Sequence, residues 1–210
     1  MIPVNVLAVR YLANAAPSLC KALGVPKGYT SLAMLTTDCD DATYIALDAA
    51  TKAAQVQVCY GHSFYGGAAN ASTPNAGEVI GILAGPDPDA VKSGMEAVLA
   101  ELAYVGFEQA GSVPYLAHTV SRSGSFLAKE AGVPEGAALA YLIAPPLESM
   151  YAMDAALKAA DVKLCKLYTP PSETNFGGGL LTGTQSACQT ACAVFAAAVA
   201  EVANQPKMSS

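Results

Sequence analysis

Blocks of apolar and polar positions along the chain predict alternating strands and helices. Two apolar runs, residues 31–35 and 138–143, are short and flanked by turn residues, as is typical of buried strands. Residues 55–59 and 161–165 alternate polar with apolar side chains, which predicts half-exposed strands. Further strands are expected at 6–9, 79–83, 113–120 and 179–181. Helices are expected before 24 and 132, around 48–54 and 154–160, and from 87 and 184.

The predicted order of elements occurs twice, and so do pieces of the sequence. Residues 48–59 and 154–165 are identical at eight of twelve positions, with an offset of 154 − 48 = 106. A Gly-Val-Pro-x-Gly segment at 24–28 returns at 132–136, with an offset of 132 − 24 = 108. The chain is therefore predicted to hold two tandem domains, 1–110 and 111–205, joined near residues 107–113. Strands alternating with helices favour an α/β (α+β) fold of two ferredoxin-like domains.

Composition excludes several classes of protein. The chain is 53% hydrophobic but only 13% charged, against about 25% charged in ordinary globular proteins. The net charge of −6 argues against a broad nucleic-acid-binding face, which needs a basic surface. So few charges suggest that much of the surface is covered by other chains.

One uncharged stretch raises the question of a membrane. It runs between Glu173 and Glu201, but its apolar part is mostly alanine and it contains many polar residues, which favours burial against protein. The first residues show no basic segment followed by an apolar one, so no secretion signal is predicted. We expect a soluble cytoplasmic protein that binds neither membrane nor nucleic acid, with six cysteines acting as small core residues.

Three acids crowd four positions directly after a predicted buried strand. Asp38, Asp40 and Asp41 repel one another unless a cation or backbone amides accompany them. At the offset of 108 between the two repeats, Glu148 corresponds to Asp40. This pattern favours an acidic pore or pocket for small cationic solutes. The alternative is acidic capping of the following helix, which would account for one of the acids.

No residue set in the sequence predicts catalysis. The two histidines, His62 and His118, accompany no recognisable nucleophile motif, and neither a G-x-S-x-G nor an H-E-x-x-H segment occurs. We therefore predict a protein that is not an enzyme and that requires no cofactor.

Two short motifs carry a family resemblance. Lys-Ala-Ala-Gln-Val at 52–56 and Lys-Ala-Ala-Asp-Val at 158–162 resemble the helix-closing signature of bacterial microcompartment shell proteins, and residues 85–94 resemble the last helix of that domain. The resemblance covers nearly the whole chain and is nearest to the tandem-domain class. It implies circularly permuted domains and homotrimers shaped like hexamers, which tile with other shell proteins into a shell in the cytoplasm.

The resemblance also assigns roles to residues. It places Lys52 and Lys158 at the tile edge, although both could simply cap helix C-termini. It implies that loops at 61–70 and 170–179 meet at the threefold axis and gate a central channel; the alternative is two mobile surface loops. The expected gate residues are Tyr65, Gly66, Gly67, Phe176, Gly177 and Gly178. The expected lining of a small pore comprises Asp38, Asp40, Asp41, Glu148, Thr174, Asn175 and Phe176.

Ligands are implied more weakly. The resemblance suggests passage of a small polar metabolite such as ethanolamine, and it extends to cobalamin as a bound corrinoid. Glu78 and His118 are a candidate metal pair, although two ligands make no complete zinc site. The rival hypotheses are a soluble protein that binds a small amine or a corrinoid on duplicated ferredoxin-like domains, and an enzyme.

Overall fold

The computed structural model describes residues 1–64, 75, 77–170, 172 and 174–207. These residues divide into two compact units. The N-unit comprises Pro3–Val105 and Gly124–Leu127, and the C-unit comprises Met1–Ile2, Gly106–Ser123 and Ala128–Ser210. The sequence predicted domains of 1–110 and 111–205. In the structure, residues 1–2 pack in the C-unit and residues 124–127 pack in the N-unit.

The N-unit contains a four-stranded antiparallel sheet with strand order β1-β2-β4-β3. Its elements are β1 (Val6–Leu12), α1 (Pro17–Ala22), β2 (Ser31–Thr37), α2 (Asp40–Ala53), β3 (Gln57–Ser63), β4 (Val79–Gly85) and α3 (Pro88–Leu102). Counted from β2, with β1 moved to the end, the elements follow the βαββαβ order of a ferredoxin-like domain.

The C-unit repeats this plan in a five-stranded antiparallel sheet with order β5-β6-β7-β9-β8. Its elements are β5 (Glu108–Ala110), β6 (Val113–Val120), α4 (Ser125–Ala131, whose first three residues belong to the N-unit), β7 (Ala138–Ala144), α5 (Pro146–Ala159), β8 (Val162–Tyr168), β9 (Gly177–Gly183) and α6 (Gln185–Asn204). The sequence did not predict β5, which is three residues long and pairs with β6 across a turn at Gly111, where φ is +62°.

The two uninterrupted apolar runs of the sequence form β2 and β7, which are inner strands of their sheets. Both strands are apolar throughout because both of their faces are covered. In the N-unit, α2 and α3 pack on the face of β2 that carries Leu35, while Leu32 on the other face joins a cluster with Ile82 and Leu23. In the C-unit, β7 is buried along its whole length. A strand buried on both faces reads as a continuous apolar run rather than an alternating one.

Helix α6 is long and apolar enough to cross a membrane, judged by length and composition alone. One such helix is weak evidence, since the core helix of a soluble protein passes the same test. One face of α6 is buried in the core of the C-unit, through Phe195, Cys188 and Val199 among others.

Candidate functional site

The acids predicted from the sequence lie where β2 passes into α2. Two buried threonines shape this turn: the hydroxyl of Thr43 donates to the carbonyl of Cys39 at 2.7 Å, and the Thr37 and Thr43 hydroxyls lie 2.7 Å apart. The amide of Cys39 donates back to the hydroxyl of Thr37 at 3.2 Å. These hydrogen bonds fix the path of the backbone and therefore the positions of the next two residues, Asp40 and Asp41.

Asp40 and Asp41 open α2 and are both buried, with 7% of each residue exposed. Residue 39, a cysteine, occupies the capping position, and its side chain makes no capping bond. Instead, Oδ1 of Asp40 accepts the amide of Asp41 at 2.8 Å. Two acids in the first turn are also favoured by the helix dipole. None of the three acids caps α2, so the capping alternative is wrong in its simple form, and only the helix dipole favours the two acids of the first turn.

Burial raises the pKa of Asp40 above its ordinary value, and hydrogen bonds from Ser63 and from the Asp41 amide oppose this effect. Ser63 in turn lies 2.6 Å from the hydroxyl of Tyr44. A short polar chain therefore links Tyr44, Ser63 and Asp40 inside the N-unit. A carboxylate held in this way accepts hydrogen bonds strongly, because little water competes for it.

Two further acids complete what we call the acid cluster: Asp38, Asp40, Asp41 and Glu78. The pKa of Glu78 is raised by burial and by the negative charges of Asp40 and Asp38. Asp38 is exposed and accepts two hydrogen bonds from Asn5, one from its amide at 2.8 Å and one from its side chain at 2.6 Å. The cluster thus concentrates negative charge at one end of the N-unit sheet, where a cation or an ammonium group would relieve the mutual repulsion.

The predicted equivalence of Glu148 and Asp40 is wrong. Helix α2 begins at Asp40 and α5 at Pro146, so the offset there is 146 − 40 = 106 and Glu148 corresponds to residue 148 − 106 = 42, an alanine. The offset falls from 108 at the Gly-Val-Pro segments to 138 − 31 = 107 at the starts of β2 and β7. It falls by one more because two residues separate β2 from α2, whereas only Pro145 separates β7 from α5. Glu148 lies in the first turn of α5 in the C-unit, and its place in a pore lining stays a prediction.

The predicted gate residues have different outcomes. Tyr65, Gly66 and Gly67 lie outside the described residues. Gly177 and Gly178 are not loop residues, since both are buried in β9 and pair with Ala144 and Ile143 of β7. A Cβ atom on Gly178 would lie 1.9 Å from the carbonyl oxygen of Leu142, so these glycines serve close strand packing.

The turn before β9 contains the remaining predicted lining residues. Thr174 donates its amide to the hydroxyl of Ser172 at 3.3 Å, and Asn175 adopts a left-handed conformation with φ of +68°. The ring of Phe176 packs edge-on against Phe107, with centroids 5.6 Å apart. Phe176 is therefore held by an aromatic partner inside the C-unit, and a role in gating stays a prediction.

The two predicted edge lysines both lie in the last turn of a helix, Lys52 in α2 and Lys158 in α5. Each pairs with an aspartate one turn earlier, Lys52 with Asp48 at 3.2 Å and Lys158 with Asp154 at 2.6 Å. The pairs differ in burial, because the side chain of Asp48 is fully buried whereas that of Asp154 is 62% exposed. Helix-end placement is compatible with both the edge role and the capping alternative.

Neither the histidines nor the cysteines form a second site among the described residues. No group of three or more His, Cys, Asp or Glu there is placed to hold a metal ion. Glu78 and His118 lie in different units, and the metal pair stays a prediction. All six cysteines are free, and burial raises the pKa of Cys39 to about 12, which keeps this thiol protonated at neutral pH.

Sequence reasoning missed the residues that support the acids. Thr37, Thr43, Ser63, Tyr44 and Asn5 are scattered over two strands, one helix and the segment before β1, and no local motif marks them. The one available signal was the pair of threonines that flank the acids, since threonine hydroxyls often hydrogen-bond to nearby backbone groups in turns.

Comparisons with known proteins agree with this architecture. Residues 31–113 match the BMC domain family. The chain is 55% identical to the bacterial microcompartment shell protein EutL of Clostridium perfringens, over 98% of this chain and 97% of that protein. The crystal structure of the ethanolamine utilization protein EutL from Leptotrichia buccalis superposes with a TM-score of 0.96 at 58% identity, covering 99% of this chain and 98% of that one. The structure of PduB, described as a trimeric bacterial microcompartment shell protein, shares the fold with a TM-score of 0.77 at 19% identity, over 95% of this chain and 89% of that one.

Identity of this degree over nearly the full length establishes the family. The sequence-based predictions of a tandem shell-domain fold and of a non-enzymatic protein are confirmed. The chain belongs to the EutL family of bacterial microcompartment shell proteins, and it is a structural component of a microcompartment shell within the cytoplasm.

Proposed function

We propose that three copies of this chain form one shell tile, and that the acid cluster lines a narrow passage selective for small ammonium-bearing metabolites such as ethanolamine. The observation that carries the passage is the buried pair Asp40 and Asp41, with Glu78 close enough for its pKa to rise through the charge of Asp40. Burying a carboxylate costs folding free energy, so buried carboxylates in native proteins usually have a hydrogen-bonding or charged partner, or belong to a functional site.

The chemistry of the cluster suits an amino alcohol. An ammonium group donates to carboxylates and offsets their mutual repulsion, which a neutral solute cannot do. A neighbouring hydroxyl can bond to the polar chain of Ser63 and Tyr44. Anions are repelled by the same groups, so the passage would discriminate by charge as well as by size.

The proposed trimer rests on the internal repeat and on relatives. Two similar domains per chain supply six similar wedges in a threefold assembly, which suits a tile with six edges. PduB, which has the same fold, is described as trimeric. The two lysines at the helix ends, Lys52 and Lys158, are then the residues that meet neighbouring tiles.

The passage is tested by calorimetric titration of the purified protein with ethanolamine at low ionic strength. Replacing the pair, Asp40→Asn with Asp41→Asn, should weaken binding about tenfold or more, since a charge-assisted hydrogen bond contributes roughly 1.5–3 kcal/mol. The matched control is Asp89→Asn with Glu96→Gln, which removes two exposed acids of α3 and the same net charge.

Equal affinity of the wild-type protein and the Asp40/Asp41 variant would reject the acid-lined passage. Glu148→Gln, measured separately, tests whether that residue contributes as the sequence predicted. A parallel absorbance titration with cobalamin tests the corrinoid-binding alternative. If that alternative holds, cobalamin binds saturably and added ethanolamine does not change its affinity.

A further inference from the structure

Two hydroxyl groups of the N-unit form a relay of hydrogen bonds that ends at the buried carboxylate of Asp40. The hydroxyls of Tyr44 and Ser63 lie 2.6 Å apart, and the side chain of Ser63 donates a hydrogen bond to Asp40. A hydroxyl group has one hydrogen to donate and two lone pairs that accept. Because Ser63 gives its hydrogen to the carboxylate, its oxygen must accept the hydrogen of Tyr44. The relay therefore runs in one direction, from Tyr44 through Ser63 to Asp40.

This direction favours the ionised form of Asp40. Burial raises the pKa of Asp40, and the hydrogen bond from Ser63 is the strongest of the effects that oppose the rise. Hydrogen bonds in a chain polarise one another, so a donor to Ser63 strengthens the bond that Ser63 gives to the carboxylate. Four other titratable groups lie around Asp40, namely Asp38, Cys39, Asp41 and Glu78. None of these four carries a positive charge, so hydrogen bonds rather than an ion pair with them stabilise the carboxylate.

Packing within the N-unit fixes the ring of Tyr44 in the position that the relay needs. The ring of Phe126 packs against it, with the two centroids 5.9 Å apart. A Cβ atom on Gly61 would lie 3.4 Å from Cε1 of Tyr44 and 3.5 Å from Cζ of Phe126. Both rings therefore lie over the bare backbone of β3, two residues before the serine of the relay. The hydroxyl of Tyr44 is thus held at the end of an immobilised ring.

The turn 124–127, which carries Phe126, is itself fastened to α2. The buried side chain of Asp48 accepts two backbone amides of this turn, one with each carboxylate oxygen, at 2.7 and 2.8 Å. Asp40, Tyr44 and Asp48 follow one another at intervals of four residues, so they lie along one face of the helix. One face of α2 therefore carries the acid, the first donor of the relay and the residue that holds the packing partner of that donor.

The internal repeat shows that the tyrosine accompanies the acid. At the offset of 106, the three members of the relay have these counterparts in the C-unit: Pro146 for Asp40, Met150 for Tyr44 and Thr169 for Ser63. The carboxylate and the first donor are thus absent together from the second copy, while a hydroxyl remains at the middle position. A tyrosine that only filled space on the helix would have no reason to follow the acid in this way.

We propose that Tyr44 is a positioning residue of the acid cluster, which aligns the hydroxyl of Ser63 and so keeps Asp40 ready to accept an ammonium group. Tyr44 acts through Ser63 and needs no contact with the solute. This inference deepens the proposed passage and rests on it where ethanolamine is concerned, whereas the effect of Tyr44 on Asp40 involves no solute.

The first test is a double-mutant cycle measured by calorimetric titration with ethanolamine. Tyr44→Phe removes the hydroxyl that starts the relay and keeps the ring that packs against Phe126, so affinity should fall about fivefold, as expected for one lost hydrogen bond. Ser63→Ala breaks the relay one step later. The double variant should bind no more weakly than Ser63→Ala alone, because residues that act through one another are not additive. Tyr11→Phe, at a 47% exposed tyrosine of β1, is the matched control and should bind like the wild type.

The ionisation of Asp40 gives a second measurement that needs no solute. Carbon-13 NMR of its carboxyl group should show a pKa about half a pH unit higher in Tyr44→Phe than in the wild-type protein, because the relay favours the charged form. An unchanged pKa of Asp40, or losses of affinity that simply add in the double variant, would overturn the role of Tyr44. A wild-type protein that does not bind ethanolamine would instead reject the proposed passage, and the NMR titration would still decide the relay.

Discussion

At the scale of single residues, burial makes Asp40 costly to ionise in the folded protein. Asp40 is buried with a raised pKa, and the hydrogen bonds from Ser63 and the Asp41 amide only oppose that rise. The folded protein therefore holds the proton of Asp40 more tightly than the unfolded chain does. Its contribution to stability is full below the unfolded pKa and is lost as the pH rises through the folded value.

Asp40→Asn should remove this pH dependence. The amide oxygen still accepts from Asp41, and no charge is buried, so we expect Tm at pH 7 to rise by roughly 2–4 °C, about 1 kcal/mol for a chain of this size. Near pH 4 the two proteins should differ little. Thermal unfolding at both pH values measures this difference, with Asp89→Asn as the exposed control; a lower Tm for Asp40→Asn at pH 7 would contradict the assignment.

At the scale of elements, the glycine run that opens β9 is structural. Gly178 has φ of +146°, and any Cβ atom there would collide with the carbonyl oxygen of Leu142. The strand can approach β7 this closely only without side chains at that point. The same glycines in the sequence suggested a gate loop, because glycine favours both loops and close backbone approach.

Gly178→Ala should therefore cost much more than an ordinary glycine substitution. We expect the free energy of unfolding to fall by about 3 kcal/mol or more, through backbone strain and steric collision together. Gly132→Ala is the control: φ is +66° there too, but nothing lies within 4 Å of the new Cβ atom, so the loss should be about 1 kcal/mol. Urea denaturation compares the two, and equal losses would refute a steric role for Gly178.

At the scale of the whole molecule, the two copies have diverged at their helix ends. Lys52 pairs with a fully buried aspartate that also holds the turn 124–127, whereas Lys158 pairs with an exposed one. A threefold tile would then have two kinds of edge. One carries Lys52, whose aspartate partner is buried, and the other carries Lys158, whose aspartate partner is exposed.

Replacing both lysines by alanine should abolish the growth of tiles into sheets while leaving each trimer intact. Without Lys52, Asp48 still accepts two backbone amides, and the Lys158 pair is exposed. Electron microscopy detects the sheets and light scattering measures the trimer. Lys27→Ala with Lys92→Ala, two exposed lysines of the N-unit outside the predicted edge, is the matched control. Sheets formed normally by the Lys52/Lys158 double variant would remove these lysines from the edge.

The repeat, the order of most strands and helices, the family and the position of the acids after β2 were predictable from the sequence, since they depend on local periodicity and short motifs. The sequence could not determine the strand β5, whose three residues carry too little pattern. It also misplaced Glu148, since the two copies differ by one residue before β2 and β7 and by another after them, and neither difference is visible until the elements are located. Only the tertiary structure brought Ser63 to Asp40 and Gly124 to Asp48, because such partners meet through packing between segments far apart in the chain.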